Sequence, residues 1–212
     1  MKYVFFVSLF FLNDKIYSQV ITTVQWQPNS RHESGDTIYY SSYRKLNWND
    51  FRGNPDQNSD AAAVTASGFG YMLTRQTRNS NSRINITVYC HYNKVKSWVK
   101  TGMQSDYALE HEQHHFDISY LGTLLFIEKL RAASFTVRNY VSLAERIYDE
   151  CYDAMQNMQD EYDGETRNGR QKNVQAEWNK KIVSQLEAGS TDLRSAPEFS
   201  DRAVPYSRSH HK

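Results

Sequence analysis

The stretch from Ser105 to Ala133, SDYALEHEQHHFDISYLGTLLFIEKLRAA, contains no proline and no internal helix breaker other than Gly122. Ser105 or Asp106 can cap its first turn, because a short polar side chain accepts hydrogen bonds from the free backbone amides there. Ser134 to Arg138 reads as a short connection. The pattern therefore predicts one long helix that ends near Ala133.

A second helix is predicted from about Asn139, because apolar residues then recur in alternating steps of three and four. That spacing places them on one face of a helix, which we expect to pack against the first helix as an antiparallel hairpin. A third amphipathic segment is predicted from Val174 to Leu186. The apolar stripe of the second helix is Val141, Ala144, Tyr148, Cys151, Met155, Met158 and Tyr162.

The preceding part of the chain has the composition of β-structure, with many Thr, Val, Tyr and Ile residues between turn-forming segments. The strongest candidate strand is Ile84 to Tyr92, in which apolar and polar residues alternate, and its edge is a candidate for binding an extended peptide. Residues 28–36 and 75–82 are predicted loops. The fold class is thus α+β, an N-terminal β-sheet region followed by a pair of long helices. The other candidate strands are Ile21 to Trp26 and Ala63 to Leu73.

The N-terminus resembles an export signal: Lys2 is followed by an apolar run that is too short to span a bilayer. We expect residues 1–18 to be removed and the product to be secreted or periplasmic, without an integral membrane segment. Removing them takes away two lysines and one aspartate, so the formal net charge falls from +1 to 0. A neutral chain gives no reason to expect binding to nucleic acid.

The 212 residues fit one domain. We predict residues 19–187 as that domain, β-rich over 19–100 and helical over 103–187, and residues 188–212 as a disordered tail. Cys90 and Cys151 are the two cysteines. In an oxidising compartment they could form one disulfide or remain two buried thiols, and the sequence favours neither.

The first helix contains His111-Glu112-Gln113-His114-His115, which matches the pattern H-E-x-x-H. Residues four apart lie about 40° from each other around a helix, so the imidazoles of His111 and His115 can bind one zinc ion. Glu112 lies beside them, where it can act on a water molecule as general base. His114 points to the other side of His111 and is predicted to be a neighbour rather than a ligand.

A catalytic zinc site normally has three protein ligands, so a third is expected. The chain runs about 30 Å from the motif to Ala133, and an equal distance back along the second helix leads to residues 159–166, the most acidic segment. Continuing the apolar stripe beyond Tyr162 points to Glu165 as the third ligand, with Asp163 as the second choice. Asp117 projects away from the metal face and is predicted to be a surface or second-helix contact.

The chain resembles a family of bacterial secreted zinc-dependent proteases catalogued as a domain of unknown function, number nine hundred and twenty-two. Leu46, Trp48, Asp50, Phe51, Gly53 and Pro55 resemble its N-terminal signature, and residues 62–68 resemble the strand that follows. Ser97-Trp98, the motif helix from His111 to Asp117, and Tyr162 to Thr166 with Gln175 and Trp178 form the other matching blocks.

Two positions depart from the family pattern. The family usually has a small residue where this chain has His114, which agrees with His114 not being a ligand. It usually has histidine where this chain has Asn168. If that histidine binds metal or assists catalysis in the family, Asn168 weakens the function here.

The expected function is hydrolysis of peptide bonds in a peptide or protein substrate by a zincin-like metallopeptidase. Zn²⁺ would activate a water molecule, and Glu112 would take its proton. Tyr162 is a candidate donor to the developing oxyanion, although a tyrosine on a helix stripe is more often part of the core. The alternatives are a non-catalytic exported metal-binding or surface-assembly protein, and an amidase that acts on cell-wall peptides.

Overall fold

The computed structural model describes residues 20–27, 35–78, 81–193 and 206–208. Within them the architecture is α+β, as predicted: six strands come first, three helices follow, and a short strand comes last. The predicted export signal lies outside the described residues. The strands are β1 (Val20–Trp26), β2 (Thr37–Tyr39), β3 (Ala63–Val64), β4 (Ser67–Arg78), β5 (Asn81–Asn93), β6 (Trp98–Val99) and β7 (Tyr206–Arg208).

The main sheet is built around β5, which has β1 as a parallel neighbour and β4 as an antiparallel one. The alternation that predicted this strand is confirmed, because Ile84, Ile86 and Val88 are fully buried on one face. Both edges of β5 are occupied by other strands, so the idea that β5 offers a free edge for a peptide is wrong.

Two sequence predictions in the β-region are corrected. Residues 75–82 are mostly strand rather than loop, because β4 and β5 continue as a hairpin with Arg78 paired to Asn81. The predicted strand from Ala63 to Leu73 is two strands: β3 pairs with β6 in a separate two-stranded sheet, and β4 joins the main sheet.

The helices are α1 (Asp106–Ala132), α2 (Tyr140–Thr166) and α3 (Lys172–Leu193). Ser105, one of the two predicted caps, caps α1 by accepting a hydrogen bond from the Ala108 amide. Helix α3 is longer than expected, and β7 pairs with the outer edge of β4, so parts of the predicted tail are regular structure. A strand edge has free backbone groups that favour such pairing.

Contacts between α1 and α2 run in opposite directions along the two helices. Lys129 Nζ, near the C-terminal end of α1, lies 3.1 Å from Glu150 Oε2 of α2. His111 Nε2, nearer the N-terminal end of α1, lies 3.1 Å from Asp163 Oδ1, which is later in α2. Between them the helices come close at Gly122, where an added Cβ would lie 2.9 Å from the Cβ of Met155. The two helices are therefore antiparallel and in close contact.

The core lies between the sheet and the helices. Tyr148 of α2 contacts the rings of Phe69 and Phe126 and donates a hydrogen bond to the Phe69 carbonyl at 3.1 Å. Cys90 and Cys151 are both buried and both free. No helix in the described ranges is long and apolar enough to cross a bilayer.

The segment that resembles the family's N-terminal signature fastens the β-region to α1. A short 3-10 helix, Trp48–Asp50, is capped by Asn47. The amide of Leu46 donates to Gln113 Oε1 at 2.8 Å. This contact attaches the segment to the turn of α1 that contains His111 to His115.

Candidate metal site

His111 and His115 lie one turn apart on α1, and their rings converge as the spacing predicted. Their Nε2 atoms are 3.2 Å apart and both side chains are nearly buried. Two imidazoles on one face of a rigid helix need little movement to share one ion.

Asp163 of α2 completes a three-membered cluster with these histidines. Its Oδ1 lies 3.1 Å from the Nε2 of His111 and 3.1 Å from the Nε2 of His115. Ligand atoms at a tetrahedral zinc site, with bonds of about 2.0–2.2 Å, are roughly 3.3 Å apart. The three side chains therefore fit a tetrahedral metal ion with small adjustments, and they are the described residues that could hold one.

The second nitrogen of each imidazole is held by a glutamine. Gln175 Oε1 lies 2.9 Å from His111 Nδ1, and Gln159 Oε1 lies 2.6 Å from His115 Nδ1. The amide nitrogen of Gln175 donates to Asn179 Oδ1, so its oxygen must face His111. An amide oxygen can only accept, so each Nδ1 carries the proton and each Nε2 lone pair points to the centre of the cluster.

The charge balance of the cluster favours a cation at its centre. Burial raises the pKa of Asp163, but contacts with His111 and His115 outweigh it and hold that pKa well below its usual value. Burial lowers the pKa of His115, but the contact with Asp163 outweighs this and raises it to about 9. A carboxylate and two imidazole lone pairs that face one another need a proton or a metal ion between them.

Glu112 lies beside the cluster and is held by the β-region. Its Oε2 accepts a hydrogen bond of 2.7 Å from the Thr65 hydroxyl, in the link between β3 and β4. The side chain is 5% exposed, yet it lines a cavity. Glu112 can therefore meet a water molecule or a ligand that enters this cavity.

The cavity has a volume of about 410 Å³ and reaches all three members of the cluster. One wall is the backbone and small side chains of residues 61–65, which include β3. The lining also includes residues of α1 and α2 and residues 168–170. All three members of the cluster are thus open to this cavity.

Glu165 does not lie at the cluster, which corrects the preferred sequence prediction. Its Oε2 accepts a hydrogen bond of 2.7 Å from Trp178 Nε1 of α3. After Tyr162 the buried stripe of α2 continues with Thr166, four residues on, rather than with Glu165. Asp163, the second choice, is one turn beyond Gln159 and therefore faces α1.

His114 faces away from the cluster, as predicted, but Asp117 is not a surface residue. Asp117 is 1% exposed and accepts hydrogen bonds from Tyr40, Gln113 and His114. Burial raises the pKa of Asp117, but these bonds and Lys45 outweigh it and lower the pKa. The residue joins α1 to the segment that follows β2.

Tyr162, the candidate oxyanion donor, lies behind the histidines and is fully buried. Its ring stacks on His111 with centroids 4.7 Å apart, and its hydroxyl is bonded to the Gln175 amide. It is not among the residues that line the cavity. This position supports His111 and leaves the hydroxyl outside the cavity lining.

The turn after α2 also supports the cluster, and sequence reasoning did not find it. Arg167, Asn168 and Gly169 all have left-handed backbone angles, with φ of 51°, 52° and 76°. A Cβ on Gly169 would lie 3.3 Å from His111 Nδ1, so the glycine lets the turn pack against this ring. Asn168 is among the residues that line the cavity.

Searches against protein-family models, curated proteins and solved structures each found no significant match to this chain. The resemblance to the secreted protease family therefore stays a prediction from its motifs.

Proposed function

We propose that this protein is an exported zinc-dependent metallopeptidase of the zincin type, with its site carried by the antiparallel pair α1 and α2. In this proposal His111, His115 and Asp163 are the metal ligands and Glu112 is the general base. The observation that carries it is the triangle of two Nε2 atoms and one Oδ1, with edges of 3.1–3.2 Å, that opens onto a cavity next to Glu112.

In this proposal the metal ion, Glu112 and the residues that hold the ligands each have a separate role in hydrolysis. Zinc, when bound, supplies Lewis-acid activation of a water molecule and of the scissile carbonyl. Glu112 accepts the proton of the attacking water and delivers it to the leaving amine. The Thr65 hydroxyl orients that carboxylate, while Gln159 and Gln175 keep both histidines in the tautomer that a metal ion requires.

The cavity distinguishes this proposal from a metal site that only stabilises the fold. A structural zinc site is closed by four protein ligands, whereas a catalytic site keeps one position for water or substrate. Three side chains converge here and all three line the cavity, so a water molecule or a substrate could approach the ion that they would hold. This arrangement supports catalysis over the alternative of a non-catalytic exported metal-binding protein.

The test compares zinc-loaded wild-type protein with Glu112→Gln on a broad peptide panel that includes cell-wall peptides. Loss of the general base is expected to lower kcat/KM by about 100- to 10,000-fold while zinc content stays the same. Glu110→Gln, an exposed glutamate on the same helix, is the matched control and keeps wild-type activity. Equal cleavage by wild type and Glu112→Gln would refute the peptidase. Cleavage restricted to the cell-wall peptides would identify the amidase.

A further inference from the structure

The cavity beside the cluster has one permanently positive side chain in its lining. Among the described residues that surround it, Arg170 is the only lysine or arginine. Residues 61–64 of the lining are three alanines and a valine and offer no charge. Among the described side chains that line the cavity, Arg170 is therefore the one that can bind a negatively charged group through a permanent positive charge.

The backbone that carries Arg170 is held firmly. Tyr107 donates a hydrogen bond of 2.7 Å to the Gly169 carbonyl. The Gly169 amide donates to Thr166 Oγ1 at 3.2 Å, and the Gln171 amide donates to the Thr166 carbonyl at 2.8 Å. A side chain on such a fixed turn loses less entropy when it binds a ligand than one on a free loop.

The guanidinium of Arg170 has unused hydrogen-bonding capacity. Its one hydrogen bond to a described residue goes from Nη2 to the Asp60 carbonyl at 3.5 Å, just before the cavity wall. No carboxylate of the described residues pairs with it. Arginine has five N–H donors, and their planar arrangement matches the two oxygens of a carboxylate.

The carboxylates of the cavity do not compete for Arg170. Asp163 is engaged by His111 and His115, and Glu112 is engaged by Thr65. A second cation lies near the cavity: the Lys172 ammonium is 5.5 Å from the centre of the Tyr107 ring, and Tyr107 lines the cavity. Arg170 and Lys172 therefore contribute two positive charges to this part of the cavity.

We propose that Arg170 binds a carboxylate of the substrate, so that preferred substrates are peptides with an acidic side chain or a free C-terminal carboxylate near the cleaved bond. This inference rests on the proposed peptidase function and names the substrate class of the same site.

The experiment measures kcat/KM on matched peptide pairs. In one arm glutamate is exchanged for glutamine at each position around the cleaved bond, and in the other a free C-terminus is exchanged for an amide. Wild-type protein is expected to prefer the carboxylate member of one arm by about 10- to 100-fold, the usual size of a hydrogen bond to a charged group. The arm that shows the preference identifies the source of the carboxylate.

Arg170→Gln is expected to reduce this preference to near one. Arg167→Gln, on the same turn but outside the cavity lining, is the control and keeps the wild-type ratio. Glu112-dependent cleavage without a carboxylate preference, or a preference that survives in Arg170→Gln, overturns this inference alone. Absence of any Glu112-dependent cleavage overturns the proposed function and this inference together.

Discussion

Substitution of Gln175 tests whether its amide holds His111 in the orientation and tautomer that metal binding requires. It is fully buried, and its amide contacts His111 Nδ1 at 2.9 Å and Asn179 Oδ1 at 2.6 Å. Gln175→Leu keeps a side chain of similar size but removes the acceptor that fixes the His111 tautomer. Without it, His111 can rotate or carry its proton on Nε2, and each such state must be reversed before metal binds.

Gln175→Leu is expected to weaken zinc binding, because it removes a hydrogen-bond partner of His111. Removing an outer hydrogen-bond partner of a metal-binding histidine typically weakens metal binding by about 10- to 100-fold. This corresponds to roughly 1.4–2.7 kcal/mol of binding free energy. The buried groups left without a partner also lower the free energy of unfolding of the metal-free protein, by about 1–3 kcal/mol each.

The assay is a competition for zinc between the protein and a chromophoric chelator, with circular dichroism to verify that each variant is folded. Gln175→Glu retains an acceptor for His111 and is expected to bind zinc at least as tightly as wild type. Gln185→Leu, the same substitution at an exposed position of α3, is the control. A folded Gln175→Leu protein with wild-type zinc affinity would refute the proposed role of the amide, as would an equal loss in Gln185→Leu.

Three further predictions follow from the same contacts. Asp163→Ala is expected to lose stoichiometric zinc in metal analysis, whereas Glu165→Ala retains it, and the reverse order would return the third ligand to Glu165. In the metal-free protein, burial lowers the pKa of His115 but Asp163 raises it above the ordinary 6.5 to about 9. The contact of protonated His115 with Asp163 therefore stabilises the folded, metal-free protein fully below about pH 6.5, and this stabilisation is lost as the pH rises through about 9. Zinc binding strengthens over the same range, because a metal ion requires neutral His115. Urea unfolding with chelator and zinc titration at both ends of this range measure the two trends, and parallel trends would contradict the assignment. Gly122→Ala is expected to lower the free energy of unfolding by about 1–3 kcal/mol because the close contact between α1 and α2 leaves no space for a Cβ. Gly164→Ala, with nothing within 4 Å, is expected to raise it by about 0.5–1 kcal/mol, and similar effects of both changes would mean that packing at Gly122 is loose.

The elements that the sequence determined are those set by local spacing. Helix α1, its Ser105 cap and the convergence of His111 with His115 follow from residues near one another in the chain. The alternation in β5 likewise identifies its buried face without knowledge of its neighbours. The hairpin length also places residues 159–166 of α2 near His111, and Asp163 lies there, 3.1 Å from His111 Nε2.

The tertiary structure decided which side chains in that region meet. Glu165 and Asp163 are two residues apart, and the apolar stripe of α2 alone did not show which of them faces α1. In the structure Glu165 is bound by Trp178 of α3 instead. Gln159, Gln175 and Thr65 come from α2, α3 and the β3–β4 link, and no local pattern connects them to His111 or Glu112. Local periodicity fixes a direction on one helix, but a site made by several elements depends on their relative rotation, which only long-range packing determines.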